Sequence, residues 1–334
     1  MRVLVFEYIT GGGLSESALP ASLAREGELM FAALTHDLAQ IEGVELIVMR
    51  DGRLPIRDQP NLAESFIVSA QDELEAIWHR CLDRCDAVWP IAPETRGIME
   101  HYCREVALAG KMLLNSPAHA VRLTASKLDT LTRLATANLP SVPSLPLEQW
   151  HADSPAPHYY VIKPDDGAGC EGSRIVDLAE NWQPPLDSGR WLVQPLLSGN
   201  PLSLCVLFNC GSAQLLSINR QLVERHAGGF KLQGCQVNAL QDTDGSWQKL
   251  AEHIAAAIPE LWGYAGVDLI LEPDGPQILE INPRLTTSYA GLHQATGDNP
   301  AAHVLSLWRT GKLPAARNAP GKMAEILLET ELEY

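Results

Sequence analysis

The chain has 334 residues, of which 46% are hydrophobic and 20% charged, so it is long enough for two or three globular domains. Its formal net charge is −16 without an evident basic patch, which argues against a nucleic-acid partner but permits a local basic site for a small anion. No apolar run reaches the ~18 residues that a membrane span requires, and the first residues lack a signal-peptide cleavage pattern, which favours a mature N-terminus. Seven scattered cysteines are typical of reduced thiols in a cytoplasmic protein.

Strands and helices alternate through the first 116 residues. The periodicity predicts strands over residues 2–9, 44–49, 65–69, 87–91 and 112–114, and helices over residues 26–40, 72–84 and 98–109. Such alternation indicates an open, largely parallel sheet, and ligands of such sheets lie beyond the carboxyl ends of the strands. We therefore expect a binding region formed by Tyr8–Gly13 and Pro93–Arg96.

The triple glycine Gly11–Gly13 lacks the G-x-G-x-x-G spacing of dinucleotide-binding loops, which disfavours a nicotinamide or flavin site. Two interpretations stay open. The glycines either let the backbone approach a substrate or form a plain flexible loop.

Lysines and glycines dominate the next region. A continuous helical stretch over 120–135 carries Lys127, and the strand Tyr159–Lys163 leads into the glycine-rich segment 164–173 and then the strand Arg174–Val176. Converging backbone N–H groups and an ammonium suit a phosphate, although an ordinary glycine-rich hairpin turn is equally consistent. Pro195 predicts that 191–196 is an edge strand or an irregular linker.

Further on, the pattern predicts a hairpin of 202–209 and 213–218 closed by residues 219–221, and helices over 246–258 and 299–309. Between those helices lies a second hairpin, with strands 265–272 and 277–282 joined by the turn Pro273-Asp274-Gly275. A three-residue loop predicts four opposed pairs: Glu272 with Pro276, Ile270 with Ile278, Asp268 with Glu280, and Gly266 with Asn282. The other face then carries Val267, Leu269, Leu271, Leu279 and Ile281.

Two carboxylates and an amide on one face of this second hairpin need an explanation. Facing like charges destabilise a strand pair, and the oxygens of Asp268, Glu280 and Asn282 are hard ligands suited to Mg²⁺. Arg284 adds a fixed cation beside them. A solvated face with ordinary surface acids is the alternative.

Taken in order, Lys127, Lys163 with its glycine loop, the 191–203 linker and the acidic hairpin resemble the ATP-grasp superfamily over essentially the whole chain. The resemblance implies an α/β plus α+β protein, in which an N-terminal open parallel-sheet domain (the pre-ATP-grasp domain) precedes a two-subdomain ATP-grasp fold. The expected domains are residues 1–116, residues 117–193 with the glycine-rich loop, and residues 194–334 with the metal site.

The same resemblance implies roles for single residues. The ATP-contacting residues would be Lys127, Lys163, Gly167, Gly169, Gly172 and Ser173, with the hinge Gln194, Pro195 and Leu196 reading adenine through its backbone. Magnesium, or Mn²⁺ in its place, would bind Asp268, Glu280 and Asn282. Arg284 would hold the phosphate or acyl phosphate, and Arg220 would reach the γ-phosphate. Two departures from the family pattern are Ser126, where an acid is usual, and Pro195 in a hinge that usually carries one.

Four strings, EYITGGG, EGELM, APET and INPRLTTSYAGL, resemble a carboligase-like subgroup that includes the tyramine–glutamate ligase of methanofuran biosynthesis and relatives acting on related one-carbon cofactors. The resemblance implies amide formation from small-molecule acid and amine substrates through an acyl phosphate, with substrate contacts at Gly12, Glu94, Thr287 and Ser288. It also implies no nucleic-acid or membrane partner and, as in many relatives, a homodimer. Two alternatives remain: a biotin-carboxylase-like carboligase that uses bicarbonate, and a non-catalytic ATP-binding regulator.

Overall fold

The computed structural model describes residues 1–55, 59–150, 159–167, 172–177, 189–226, 228–316 and 321–328. Within them lie three β-sheets: a five-stranded parallel sheet, a four-stranded antiparallel sheet and a six-stranded antiparallel sheet. The expected order of a parallel-sheet domain followed by an ATP-grasp-like α+β region is confirmed. No helix in the described ranges combines the length and apolarity needed to cross a membrane.

The N-terminal sheet has the strand order β3-β2-β1-β4-β5, and every pair in it is parallel. Its strands are β1 Arg2–Glu7, β2 Glu45–Asp51, β3 Leu62–Val68, β4 Ala87–Ile91 and β5 Met112–Leu113, and its helices are α1 Ala21–Ala39, α2 Leu74–Leu82 and α3 Ile98–Leu108. The chain turns in opposite directions after β1 and β4, so these neighbours form the topological switch point where ligands of such sheets bind.

Helices cover both faces of this sheet, which explains why its central strands β1 and β4 are almost continuously apolar, whereas β3 at the edge alternates between half-buried and exposed residues. Val3 and Val5 pack with Phe31 of α1 on one face. Leu4 and Phe6 pack with Trp78 and Tyr102 on the other.

The glycines after β1 are packed tightly. The predicted strand over residues 2–9 ends at Glu7, and Ile9–Gly13 forms a π-helical turn in which the Gly13 amide donates to the Tyr8 carbonyl at 2.8 Å. Gly12 has φ +100°, and a Cβ there would lie 2.5 Å from Val68. A Cβ on Gly13 would lie 2.5 Å from the ring of Tyr8. Close packing therefore requires glycine here, and the interpretation as a flexible loop is wrong.

The middle region comprises α4 Ala118–Ala125, α5 Lys127–Thr136 and a short 3₁₀ turn Leu147–Gln149. Its sheet has the order β6-β9-β7-β8, with β6 Leu145–Pro146, β7 Tyr159–Pro164, β8 Arg174–Asp177 and β9 Trp191–Pro195. The expected edge position of residues 191–196 is wrong, because β9 lies between β6 and β7 with Pro195 as its last residue.

The helix predicted to run continuously through Lys127 is broken at Ser126. Ser126 is extended (φ −86°, ψ 113°), and its hydroxyl accepts a hydrogen bond from the Asp129 amide at 3.1 Å as the N-cap of α5. Lys127 is consequently the first residue of a helix rather than a residue in the middle of one.

The third sheet has the order β14-β13-β10-β11-β12-β15. Its elements are β10 Asn200–Asn209, β11 Ser212–His226, β12 Gly229–Leu240, α6 Ser246–Ala257, β13 Trp262–Glu272, β14 Gly275–Asn282, α7 Tyr289–Thr296, α8 Pro300–Thr310 and β15 Ala324–Leu327. β11 does not close at residues 219–221, as predicted, but continues into a long hairpin with β12. Neither β12, α7 nor β15 was predicted from the sequence.

The register of the β13–β14 hairpin differs in part from the prediction. Asp268 does oppose Glu280 and Gly266 does oppose Asn282, but Glu272 opposes Gly275, which leaves a two-residue turn. A bulge between Leu269 and Asp268 absorbs Leu279 and restores the alignment. The pairs Glu272–Pro276 and Ile270–Ile278 are therefore wrong, and Ile278 rather than Leu279 is the fully buried core residue.

Candidate active site

Asp268 and Glu280 face each other across the hairpin, and two amides hold Asp268. The side-chain amide of Asn282 donates to Oδ2 of Asp268 at 3.1 Å, and that of Gln221 donates to Oδ1 at 2.9 Å. Burial and the charge of Glu280 raise the pKa of Asp268. Burial disfavours the Glu280 carboxylate as well, but the charges of Lys127 and Lys163 outweigh it and lower the pKa of Glu280.

Lys127 lies beside this acidic pair. Its Nζ is 3.3 Å from Oε2 of Glu280 and also donates to the carbonyl of Gly167, and only 5% of the residue is exposed. The start of α5 is held by Asp165, which accepts from the hydroxyl of Ser126 at 2.8 Å and from the amide of Leu128 at 2.9 Å. Asp165, in the glycine-loop segment, thereby holds Lys127 against the β13–β14 hairpin.

The donor set fits a magnesium ion. Two largely buried carboxylates face each other with an amide beside them, and a divalent cation would offset both the burial and the repulsion from Glu280 that raise the pKa of Asp268. In the described ranges no cluster of three or more His, Cys, Asp or Glu residues is arranged around a common metal position. Asp268, Glu280 and Asn282 are thus the candidate ligands, and the remaining coordination would come from phosphate and water.

The glycine loop is described only in part. Gly167 accepts a hydrogen bond from Lys127, and Gly172 has φ +75° with its missing Cβ 2.9 Å from Pro164. Ser173 follows as a half-buried residue before β8, whereas Gly169 lies outside the described residues. Lys163 is 9% exposed and is the next-to-last residue of β7, and its charge lowers the pKa of Glu280.

In the hinge, which comprises Gln194, Pro195 and Leu196, the polar groups form hydrogen bonds with other parts of the protein. The side-chain amide of Gln194 donates to the Ser144 hydroxyl at 2.8 Å, and the backbone amide of Leu196 donates to the Tyr159 carbonyl at 3.1 Å. Pro195 has no N–H group. In this conformation, adenine recognition by these donors would require them to leave their present partners.

Arg284 joins the hairpin to the N-terminal domain. Its Nε donates to Oε1 of Glu94 at 2.9 Å, and Glu94 lies just beyond β4, at the switch point of the parallel sheet. Burial alone would lower the pKa of Arg284, but the carboxylates of Glu94, Glu26 and Glu280 raise it. The Thr95 hydroxyl donates to the Asp166 carbonyl at 3.1 Å, and the Arg96 backbone amide donates to the Asp166 carboxylate at 3.0 Å. The glycine-loop segment therefore also contacts this boundary between the N-terminal domain and the rest of the chain, which we call the seam.

The other predicted substrate residues lie at different depths. The Thr287 hydroxyl donates to Oε1 of Glu26 at 2.5 Å, which places Thr287 on the seam. Ser288 is 4% exposed and bonded internally, 3.3 Å from the Ser203 hydroxyl. Gly12 is buried against Val68. The structure therefore brings Glu94 and Thr287 to the seam but not Ser288 or Gly12.

Arg220 is not brought to the acidic pair. Successive residues of a strand point to opposite faces. Gln221 contacts Asp268, and Asn219 contacts Ser203, the residue opposite Asp268 in the sheet. Arg220 therefore projects from the other face, where it is exposed.

Three contributing residues were missed in the sequence: Glu26, Asp165 and Gln221. Gln221 would have been found if β11 had been predicted to continue, because it alternates with Asn219. Asp165 and Glu26 lie in segments already singled out, the glycine loop and the EGELM string, but their partners are far away in sequence.

Comparison with known proteins agrees with this geometry. Residues 124–288 match the model of an ATP-grasp domain, and residues 44–121 match that of a pre-ATP-grasp domain. A tyramine–L-glutamate ligase from Methanocaldococcus jannaschii is 26% identical over 292 residues, which cover 87% of this chain and 84% of the relative.

Two solved structures share the fold. An ATP-grasp superfamily protein from Archaeoglobus fulgidus has a TM-score of 0.70 at 19% identity, covering 98% of this chain and 100% of the other. The biotin carboxylase domain of the Hydrogenobacter thermophilus 2-oxoglutarate carboxylase, solved with MgADP and bicarbonate, has a TM-score of 0.71 at 14% identity, covering 96% and 72%.

Two matched domain models cover residues 44–121 and 124–288 in the order found in the structure, with a charged centre where the second domain meets the first. The chain therefore combines a pre-ATP-grasp domain with an ATP-grasp domain, both of the ATP-grasp superfamily.

Proposed function

We propose that the protein joins L-glutamate, as the carboxylic acid, to a primary amine such as tyramine. The 26% identical relatives are named for these two compounds, and tyramine has no carboxyl group, so glutamate must supply the acid. The resemblance of the four sequence strings further suggests a product that enters one-carbon cofactor synthesis.

The observation that carries the proposal is the convergence of Lys127, Glu280 and Arg284 at the domain seam. A carboxylate that attacks the γ-phosphate of ATP breaks its bond to the β-phosphate oxygen, which gives an acyl phosphate and ADP. The amine then displaces phosphate and loses a proton to leave an amide. Lys127 and Lys163 would offset phosphate charge, and Arg284 would hold the acyl phosphate. Mg²⁺, when held by Asp268, Glu280 and Asn282, supplies charge neutralisation at the phosphate oxygens.

Arg284 is prepared for this role by Glu94. The 2.9 Å ion pair and a 3.1 Å hydrogen bond from Nη1 to the Leu285 carbonyl fix the guanidinium, and its Nη2 group would meet the anion. The role of Arg220 at the γ-phosphate would require a different conformation of β11, and so we assign charge stabilisation to the two lysines and Arg284. We retain the homodimer and the use of Mn²⁺ in place of Mg²⁺ as proposals from the resemblance.

The test is release of ADP and phosphate from Mg-ATP with L-glutamate and tyramine, together with mass analysis of the amide. We expect release that depends on both compounds. A parallel reaction with hydroxylamine in place of the amine traps an acyl phosphate as a hydroxamate.

Other outcomes would redirect the assignment. Stimulation of ADP release by bicarbonate alone would favour a carboligase reaction. Hydroxamate formation from a different acid would retain the ligase chemistry but reject glutamate.

A further inference from the structure

Glu26 is a carboxylate at the seam that the chemistry described above does not use. It lies near the start of α1, and its Oε1 accepts the Thr287 hydroxyl at 2.5 Å across 261 positions of sequence. Thr287 follows Arg284 by three residues, and Arg284 itself binds Glu94 of the same N-terminal domain at 2.9 Å. Glu26 therefore lies on the N-terminal-domain side of the seam, close to the proposed acyl-phosphate position.

The charges at this place do not balance. Arg284 is paired with Glu94 at 2.9 Å. Across the described ranges, no lysine, arginine or histidine nitrogen lies within ion-pair distance of the Glu26 carboxylate, whose bonded partner is the neutral Thr287 hydroxyl. Glu94 thus takes the guanidinium, and the half-buried Glu26 is left without a cationic partner, where an uncompensated charge is unfavourable.

The unbalanced charge is separate from the metal site. Asp268 and Glu280 lie opposite Lys127 on the hairpin, where a divalent cation and phosphates would complete their charge balance. Glu26 belongs to the N-terminal domain instead, and it accepts a hydrogen bond from Thr287 in the segment that follows the hairpin. One extra negative charge beside Arg284 matches a monocation that approaches the acyl phosphate from the N-terminal domain.

We infer that Glu26 binds the ammonium group of the amine substrate and directs it toward the acyl phosphate held by Arg284. This assignment rests on the proposed function, because it requires an amine as the second substrate. It also explains why a hydroxyl, rather than a cationic side chain, holds Glu26. Thr287 orients the carboxylate and leaves its charge available.

The test compares Glu26→Gln with the native protein, using L-glutamate as the acid and either tyramine or hydroxylamine as the nucleophile. Glutamine keeps the shape and an oxygen that accepts from Thr287, but it lacks the charge. Tyramine is cationic at neutral pH, whereas hydroxylamine is largely uncharged. We expect the KM for tyramine to rise about 10- to 100-fold, as for loss of a charged hydrogen bond, while hydroxamate formation changes little.

Two further variants separate the charge from folding. Glu26→Asp keeps the charge on a shorter side chain and should raise the KM less than Glu26→Gln. Glu42→Gln makes the same change of net charge at an exposed position in the turn after α1 and should leave both reactions unchanged. Thermal melting of each variant shows whether it is folded.

Some results would overturn the assignment. An unchanged KM for tyramine in folded Glu26→Gln, or an equal loss with tyramine and hydroxylamine, would exclude ammonium binding by Glu26. If the native protein forms neither amide nor hydroxamate from any acid tested, the proposed function fails and this assignment fails with it.

Discussion

Lys127 and Glu280 form a buried ion pair at 3.3 Å that joins the first turn of α5 to the β13–β14 hairpin. The lysine supplies part of the positive charge that the facing carboxylates of Asp268 and Glu280 require. A phosphate bound nearby would compete for the same ammonium group. Nucleotide binding and release of Glu280 toward a metal should therefore be coupled.

Replacing Glu280 tests the acidic pair. Glu280→Gln should abolish turnover, because it removes a charged ligand and the partner of Lys127, with a loss of at least about 100-fold typical of an electrostatic group. The fold should persist with a lower melting temperature, because loss of the buried ion pair with Lys127 outweighs relief of the repulsion with Asp268. ADP release and thermal melting measure the two effects.

The matched control is Asp274→Asn in the exposed turn of the same hairpin, which removes one charge away from the site. It should retain activity. Full activity of Glu280→Gln would contradict the metal assignment.

A second test compares variants of Gln221 and Arg220, because these adjacent residues of β11 point to opposite faces of the sheet. Gln221→Leu removes the amide that donates to Asp268 at 2.9 Å and should raise the Mg²⁺ concentration needed for half-maximal activity about tenfold. Arg220→Ala should change it little. The opposite ranking of the two variants would show that β11 adopts another register during turnover.

Stability should depend on pH through Glu7, the last residue of β1. Burial raises its pKa from 4.5 to about 7, against the hydrogen bonds from Thr10 and Ile9 that lower it. The folded state thus binds this proton more tightly than the unfolded state. The contribution to the free energy of unfolding is fully present below pH 4.5 and is lost as pH rises through 7, by up to ~3 kcal/mol.

Urea unfolding of the native protein and Glu7→Gln between pH 4.5 and 8 isolates this contribution. Glutamine does not titrate, so the native protein should lose stability relative to the variant as pH rises. A difference between the two that is independent of pH would exclude Glu7 as the titrating group.

Gly12 offers a test of packing. Gly12→Ala adds a Cβ 2.5 Å from Val68 at a φ of +100°, and should lower the free energy of unfolding by about 2–4 kcal/mol. Gly43→Ala is the control, because Gly43 has φ +75° but no atom within 4 Å of the added Cβ. It should cost about 1 kcal/mol. Equal costs would mean that backbone strain alone requires glycine at position 12.

Local patterns in the sequence predicted the acidic hairpin because strand alternation and turn residues act over a few positions. Even there, the predicted turn was one residue too long. The Asp268–Glu280 pair was nevertheless correct, because the bulge at Leu279 compensates for the shorter turn. The parallel N-terminal sheet was predictable for a related reason, since strands and helices alternate along this part of the chain and each is marked by its own local periodicity.

β12 was less predictable. Bulges interrupt its pairing with β11, and Asn238 within it has φ +57°, so it lacks a regular period of two. The short β15 is recognisable as a strand only when β12 is beside it.

The sequence by itself determined the superfamily resemblance, the parallel sheet and the facing carboxylates of Asp268 and Glu280, because each is encoded in local periodicity and short strings. Only the tertiary structure decided which face of β11 serves the site, what the triple glycine is for and which carboxylates meet Arg284 and Thr287. Glu94 lies 190 positions from Arg284, and Glu26 lies 261 positions from Thr287. Such contacts depend on how the N-terminal domain packs against the hairpin, and no local pattern encodes that arrangement.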